Sequence, residues 1–405
     1  MAPHFSPSRF AFLRDANWLD ATRARGYRQL LLLLLAIAFA AWALAGHHGI
    51  DPGGKPLGTD FLAFWSASRL ALSGNPGAAY DLGRILAAER AAMPVDPGLS
   101  SFLYPPPFLL VCLPLGLVPY FVSLVGWLAT TGLAYGLMLR RWLGTHQTAT
   151  LTILAFPAIF TNIGHGQNGF LTAALLGSAL WLLDRRPWLA GALLGALVVK
   201  PQIAFAVPVL VLASGRWRVM LGGIGSALLL CALSRWALGA APWAGFVTGS
   251  GTGRAIIEQG LVEPGKMVSA FSAVMVLHGG VALAYAVQAA VAIGAAGTLT
   301  IICRKQGTTP GGQAALCAAA TVMMSPFFLD YDLTATAIPL AWLFSEGLRR
   351  GFRPWEKVVM MAAYVLPLVA RDLALNLHLP IAPLVLAALL WAVARAAMEP
   401  TPATA

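Results

Sequence analysis

Long apolar runs alternate with short polar, basic or Pro/Gly-rich breaks over nearly the whole chain. The apolar segments fall at residues 29–46, 119–139, 149–163, 169–183, 188–199, 202–213, 218–238, 281–303, 312–325, 331–346, 357–373 and 381–397. Several are shorter than the ~20 residues that a straight crossing of the bilayer needs. The pattern therefore predicts an all-α polytopic membrane protein with about 12 transmembrane helices, several of them short or broken. Two stretches, 106–118 and 267–279, read as half-crossings or interfacial helices, and 239–267 as a polar loop without a chemical motif.

One interval breaks the rhythm. From Asp51 to Tyr104 the chain stays largely polar, and it holds Asp60, Arg69 and Asp81 among aromatics before ending on Tyr104-Pro105-Pro106-Pro107. In so apolar a chain, a loop of this length is where chemistry that needs water belongs. A second break is smaller: Lys200-Pro201 interrupts an apolar stretch that has basic residues at both ends, Arg185-Arg186 before it and Arg216/Arg218 after it. A helix tends to stop before proline, so Lys200 is expected at the far turn of a hairpin of two short helices.

Composition agrees with a membrane protein. Hydrophobic residues make up 58% of the 405 and charged residues only 11%, against about 25% charged in a soluble domain. The net charge of +11 reports orientation rather than nucleic-acid binding, because the basic residues are clustered. Arg9, Arg14, Arg23, Arg25 and Arg28 precede the first span without a small-residue cleavage site, so residues 29–46 are expected to remain as a helix. With that end inside, Arg140-Arg141, Arg185-Arg186, Arg216/Arg218, Arg304-Lys305, Arg349/Arg350/Arg353/Lys357 and Arg395 fall on the same side. This is the positive-inside bias. It makes 1–28 a cytoplasmic basic segment, 29–397 a single transmembrane domain with an extracytoplasmic loop at 47–105, and 398–405 a cytoplasmic tail. A bacterial plasma membrane is the expected location. Cys112, Cys231, Cys303 and Cys317 lie in apolar runs without metal-ligand spacing and read as small core residues.

The candidate chemistry lies on the outer side. Asp60 opens a helix with Phe61, Phe64 and Trp65, aromatics that suit the membrane interface. A carboxylate there can act as a general base, but it also suits the helix N-terminus electrostatically, so Thr59 or Asp60 reads equally as a cap, and Asp81 as a second one. Lys200 is costly inside lipid and so marks a functional site, with an anion as its natural ligand. The plain alternative is a lysine reaching for the interface. Gly164-His165-Gly166-Gln167-Asn168 places polar groups between two spans and is otherwise a turn. Asp330-Tyr331-Asp332 has the spacing of a metal-dependent sugar-nucleotide site, but the pattern is short and faces outward, so a metal-independent reaction without cofactor is expected. There is no P-loop, zinc spacing or Ser/His/Asp arrangement.

Taken in order, Thr59-Asp60-Phe61 with Trp65, Gly74, Tyr80-Asp81, Tyr104-Pro105-Pro106, Gly166-Gln167-Asn168, Gly191, Lys200-Pro201, Ser325-Pro326 and Tyr331-Asp332 resemble glycosyltransferase family 87. That membrane group includes mannosyltransferases that use polyprenyl-phosphate mannose. The resemblance spans roughly residues 30–345 and implies a GT-C fold whose first extracytoplasmic loop, with amphipathic helices, is catalytic. It also implies a polyprenyl-phosphate sugar donor, a lipid or glycan acceptor, and a loop carboxylate, here Asp60, as base. Mycobacterial members carry histidines after Ser-Pro, where this chain has Phe327-Phe328-Leu329-Asp330-Tyr331-Asp332; acceptor and sugar are left open.

On this reading Lys200, with Arg69 and His165, holds the donor phosphate, and Tyr104, Gln167, Asn168, Asp81 and Asp332 contact sugar or acceptor. The competing class is a transporter or flippase of a lipid-linked sugar. Transporters of that kind show paired interrupted helices in two halves, whereas the long loop here occurs once. A third class, a non-catalytic assembly subunit, would tolerate loss of the Asp60 carboxylate.

Overall fold

The computed structural model describes residues 10–46, 50–93, 101–144 and 149–398. Residues 47–49 and 94–100 of the expected loop, the outer part of the basic N-terminal segment and the tail beyond 398 lie outside the described residues. Among the described residues the protein is helical, with two isolated antiparallel bridges, Ile50 with Pro56 and Met267 with Leu329.

Among the described residues, five helices are long and apolar enough to cross a membrane: Ala21–Trp42, Tyr120–Leu143, Trp217–Leu238, Val281–Arg304 and Glu356–Leu377. Shorter apolar helices stand beside them, among them Gly169–Leu182, Pro187–Val199, Pro201–Ser214 and Ala382–Met398. Large apolar side chains such as Leu228, Trp236 and Ile293 point outward and remain exposed. Such a surface suits lipid and not water, and the chain is a multi-pass membrane protein.

The finer pattern differs from the sequence expectation in four places. The segment 149–163 is two helices, Ala149–Leu154 and Pro157–His165, because Pro157 has no amide hydrogen with which to continue the first. The segment 331–346 starts as a 3-10 turn, Asp330–Thr336, before the helix Ala337–Arg350. Residues 106–118 divide into a helix, Pro106–Cys112, and a 3-10 turn, Leu113–Leu117. The supposed polar loop 239–267 contains an 18-residue helix, Ala241–Glu258. Its Gly, Thr and Ser content hid it, and the same small residues let it lie against the first loop: Gly77 faces Ala241, and Gly245 faces the Tyr80 ring.

Two large cores and a small third one around Met267, Phe271 and Ala284 hold these elements. The largest runs through the bundle from Tyr135 and Trp142 to Leu316, Leu343 and Val393. The second sits beneath the first loop and is largely aromatic, with Phe61, Phe64, Phe102, Phe108 and Trp127 buried together. Phe64 meets Phe108 edge-on at 4.9 Å between centroids and Tyr104 at 5.3 Å, geometry that favours aromatic pairs beyond simple burial. This second core fixes the helix Thr59–Leu72, and with it Asp60, against the bundle. Around Lys200, the helices Pro187–Ala196 and Trp217–Leu238 approach closely through Gly191 and Gly195 facing Gly222 and Gly223, as small residues allow between helices in lipid.

Candidate active site

The site is built where two glycines meet. Gly58, the N-cap of the helix Thr59–Leu72, has φ +74°. Gly166, which ends the helix Pro157–His165, has φ +64°. A Cβ at Gly166 would lie 2.6 Å from that of Phe61 and 3.3 Å from the Gly58 Cα. Glycine at both positions thus satisfies left-handed backbone and close approach together. The result brings the start of one helix against the end of another, and Asp60 against His165 and Gln167.

Asp60 is not the cap that its position allows. The N-cap is Gly58, and no side chain makes a capping bond there. Its Oδ2 instead accepts from Gln167 Nε2 at 3.2 Å and lies 3.7 Å from His165 Nδ1. The carboxylate remains about a third exposed. Gln167 Oε1 accepts from the Tyr104 hydroxyl at 3.1 Å and from the Asn168 backbone N–H at 2.8 Å. Burial pushes the Tyr104 phenol well above its ordinary pKa, with the charges of Asp332 and Asp60 adding to the shift, so it stays a proton donor to Gln167.

Beneath this layer lies Lys200, at the turn between two short helices. Its Nζ donates to Asp332 Oδ1 at 2.6 Å and to Asn168 Oδ1 at 3.2 Å, and sits 4.9 Å from the Tyr331 ring centre. Lysine and aspartate are both fully enclosed, with side-chain exposures of 2% and 0%. Asn168 Nδ2 and Asp332 Oδ2 are buried and make no hydrogen bond among the described residues. Lys200 and Asp60 therefore belong to one hydrogen-bonded network, joined through Asn168 and Gln167.

A third side closes the cluster. Arg371, near the end of the helix Glu356–Leu377, donates through Nη1 to Asp330 Oδ2 at 3.2 Å, and the same nitrogen lies 3.4 Å from His165 Nε2. The two carboxylates of Asp330-Tyr331-Asp332 thus face different cations, Arg371 and Lys200. Nearby, Glu263 is held below the ordinary carboxylate range, first by its hydrogen bond with Lys266, with lesser contributions from Arg371 and Lys55.

Of the residues singled out from sequence, Asp60, Tyr104, His165, Gln167, Asn168, Lys200 and Asp332 are brought together. Arg69 and Asp81 are not. Arg69 lies in the last turn of the Asp60 helix, donates to the Gly116 carbonyl at 3.2 Å and lies over the Trp65 ring. Its acceptor belongs to the neighbouring 3-10 turn Leu113–Leu117, and this takes it away from Asp60. Asp81 caps the helix Leu82–Ala92, accepting from the Arg84 amide at 2.9 Å, and borders a separate cleft of about 330 Å³ against Ala241–Glu258. Arg371 escaped the sequence reading although the rule that singled out Lys200, a charge within an apolar run, applies to it equally.

A bundle of membrane-crossing helices carrying one polar cluster around a helix-terminal carboxylate defines a multi-pass membrane protein with a site for a polar ligand. Residues 102–326 match the family model for glycosyltransferase family 87. The match covers more than half of the chain, and the protein belongs to this family of membrane glycosyltransferases. Tyr104, His165, Gln167, Asn168 and Lys200 fall within the matched range, while Asp60, Asp330, Asp332 and Arg371 lie outside it. Searches of curated proteins and of solved structures find no match.

Proposed function

We propose that the protein is an inverting glycosyltransferase that takes a hexose, mannose or a close relative, from a polyprenyl phosphate and passes it to a lipid or glycan acceptor outside the plasma membrane. The observation that carries this reading is the placement of a partly exposed carboxylate, Asp60, directly against a network of sugar-type hydrogen-bonding groups. In the reaction the acceptor hydroxyl attacks the anomeric carbon from the face opposite the phosphate, and its proton passes to Asp60. The bond from the anomeric carbon to the phosphate oxygen breaks with its electron pair, leaving polyprenyl phosphate as the anion.

Gln167 orients the carboxylate, and Tyr104 in turn holds Gln167. Asn168 and Asp332 are enclosed with Lys200 and support this layer from beneath rather than meeting the sugar. Lys200 lies below them, its positive charge supporting a phosphate that arrives above. No role in the reaction is assigned to Arg69 or Asp81.

The test is transfer of radiolabelled mannose from polyprenyl-phosphate mannose, by purified protein in detergent, to lipids extracted from a strain lacking the gene. Wild type should give a labelled product. Asp60→Asn should fold normally, because Asp60 makes no capping bond, and should lower turnover by roughly 10²–10⁴. Wild-type turnover in that variant would exclude Asp60 as the base. A flippase would move the donor across vesicles without releasing polyprenyl phosphate.

A further inference from the structure

Of three cations considered for the donor phosphate, two reach the Asp60 cluster and one does not, and their surroundings differ. Lys200 is enclosed and already faces Asp332 at 2.6 Å, with Asn168 as its other partner. Arg69 is taken up by the Gly116 carbonyl. Arg371 alone of the three both reaches the cluster and opens to solvent, with a third of its side chain exposed. Only its Nη1 is engaged, by Asp330 and beside His165; among the described residues Nη2 and Nε make no hydrogen bond. The His165 ring spans the gap between Arg371 and Asp60, Nε2 toward one and Nδ1 toward the other. All three side chains are partly open, so a ligand lying across the exposed edge of the imidazole meets the guanidinium at one end and the carboxylate at the other. A general base and the ligand of a leaving group have to flank a reacting carbon in this way.

We propose that Arg371 is the direct phosphate ligand of the lipid-borne donor, and that Lys200 is a positioning residue that acts through Asn168 and Asp332. This rests on the glycosyltransferase reading above. A guanidinium offers a planar fork of donors that matches two phosphate oxygens, whereas a lysine already paired in a closed interior does not. As the bond between the anomeric carbon and the phosphate oxygen breaks, the growing charge on that oxygen falls on Nη2 and Nε. The acceptor proton goes to Asp60 on the other side. Asp330 holds the guanidinium in place through Nη1. The assignment also gives a role to a charged side chain near the end of a membrane-crossing helix that is turned toward Asp330 and His165.

The experiment measures inhibition by free polyprenyl phosphate, the released product, alongside the KM values for donor and acceptor. Arg371→Gln should weaken inhibition and raise the donor KM by roughly 10–100-fold, the loss of a charged hydrogen-bond pair, with the acceptor KM unchanged. Arg371→Lys should recover part of the loss. Asp330→Asn removes the same ion pair but keeps an oxygen that can accept from Nη1, so it should weaken inhibition by clearly less than Arg371→Gln does. Equal losses in Arg371→Gln and Asp330→Asn would reduce Arg371 to a structural brace, and wild-type inhibition in Arg371→Gln would overturn the assignment outright. If Arg371→Gln does not fold, undiminished inhibition in the double variant Arg371→Met with Asp330→Leu, which removes both charges, overturns it instead. Failure of wild type to bind polyprenyl phosphate at all would sink the proposed donor class rather than the choice of arginine.

Discussion

At the scale of single residues, the most exacting feature is the enclosed pair of Lys200 and Asp332. Withdrawing two charges from water is costly, and each is tolerated because the other lies 2.6 Å away. Removing one partner should therefore hurt folding before it hurts chemistry. Lys200→Met is expected to destabilise the protein by ~3–5 kcal/mol, leaving a buried carboxylate without its cation, while adding Asp332→Leu should restore much of that loss. Melting midpoints of wild type, the single variant and the double variant in one detergent decide the matter. A Lys200→Met protein as stable as wild type would mean that Asp332 is already neutral in the fold. Function gives a second axis: the double variant, even if stable, should transfer poorly, because Asn168 loses the ammonium that holds its carbonyl. Tyr104 is a milder case. Its hydroxyl fixes Gln167 but touches no reacting atom in the proposed chemistry, so Tyr104→Phe should cost turnover less than Asp60→Asn does.

At the scale of elements, the site depends on how helix ends meet, and the two glycines of one turn make a controlled comparison. Gly166 has a left-handed backbone and no room for a Cβ, whereas two residues earlier Gly164 lies in the helix with nothing within 4 Å of where a Cβ would sit. Gly166→Ala should cost ~1–3 kcal/mol from backbone conformation alone, and should cut transfer further by pushing Phe61 and Asp60 off Gln167. Gly164→Ala should be neutral or slightly stabilising, since alanine outranks glycine by up to ~1 kcal/mol in a helix. Equal behaviour of the two variants in melting and transfer assays would show that the helix junction does not set the site. Such junctions also mark what the sequence does and does not reveal. Asp60 and Lys200 stood out because charge is rare and costly in apolar surroundings. The links that join them through Gln167 and Asn168 were not legible, since they depend on tertiary approach of residues 107 and 32 positions apart. The helix Ala241–Glu258 stayed hidden because its face toward the first loop is made of small residues rather than bulky apolar ones. Arg69 misled for the opposite reason: nearness in sequence to Asp60 is not nearness in space when the helix Thr59–Leu72 carries the chain away.

At the scale of the whole molecule, the basic clusters and the site lie at opposite ends of the helices they share. Tyr120 begins its helix with the hydroxyl on the Leu57 and Gly58 carbonyls, next to Asp60, and that helix ends at Arg140 and Arg141. Gly169–Leu182 starts beside Asn168 and runs down to Asp184, which pairs with Arg216. Glu356–Leu377 starts with Glu356 paired to Arg353 and carries Arg371 up to the site. Three helices thus give the same polarity, and from the positive-inside rule we predict the basic end in the cytoplasm and Asp60 outside. The prediction is tested with single cysteines in a variant lacking Cys112, Cys231, Cys303 and Cys317. Ala87, exposed on the first-loop helix Leu82–Ala92, and Gln306, exposed after Val281–Arg304, are suitable positions. A membrane-impermeant maleimide applied to intact spheroplasts should label Ala87→Cys and spare Gln306→Cys until the membrane is opened. The reverse pattern would place Asp60 in the cytoplasm, where a sugar nucleotide, and not a lipid phosphate, becomes the natural donor. Labelling of both positions from outside would mean that an odd number of the shorter helices fails to cross.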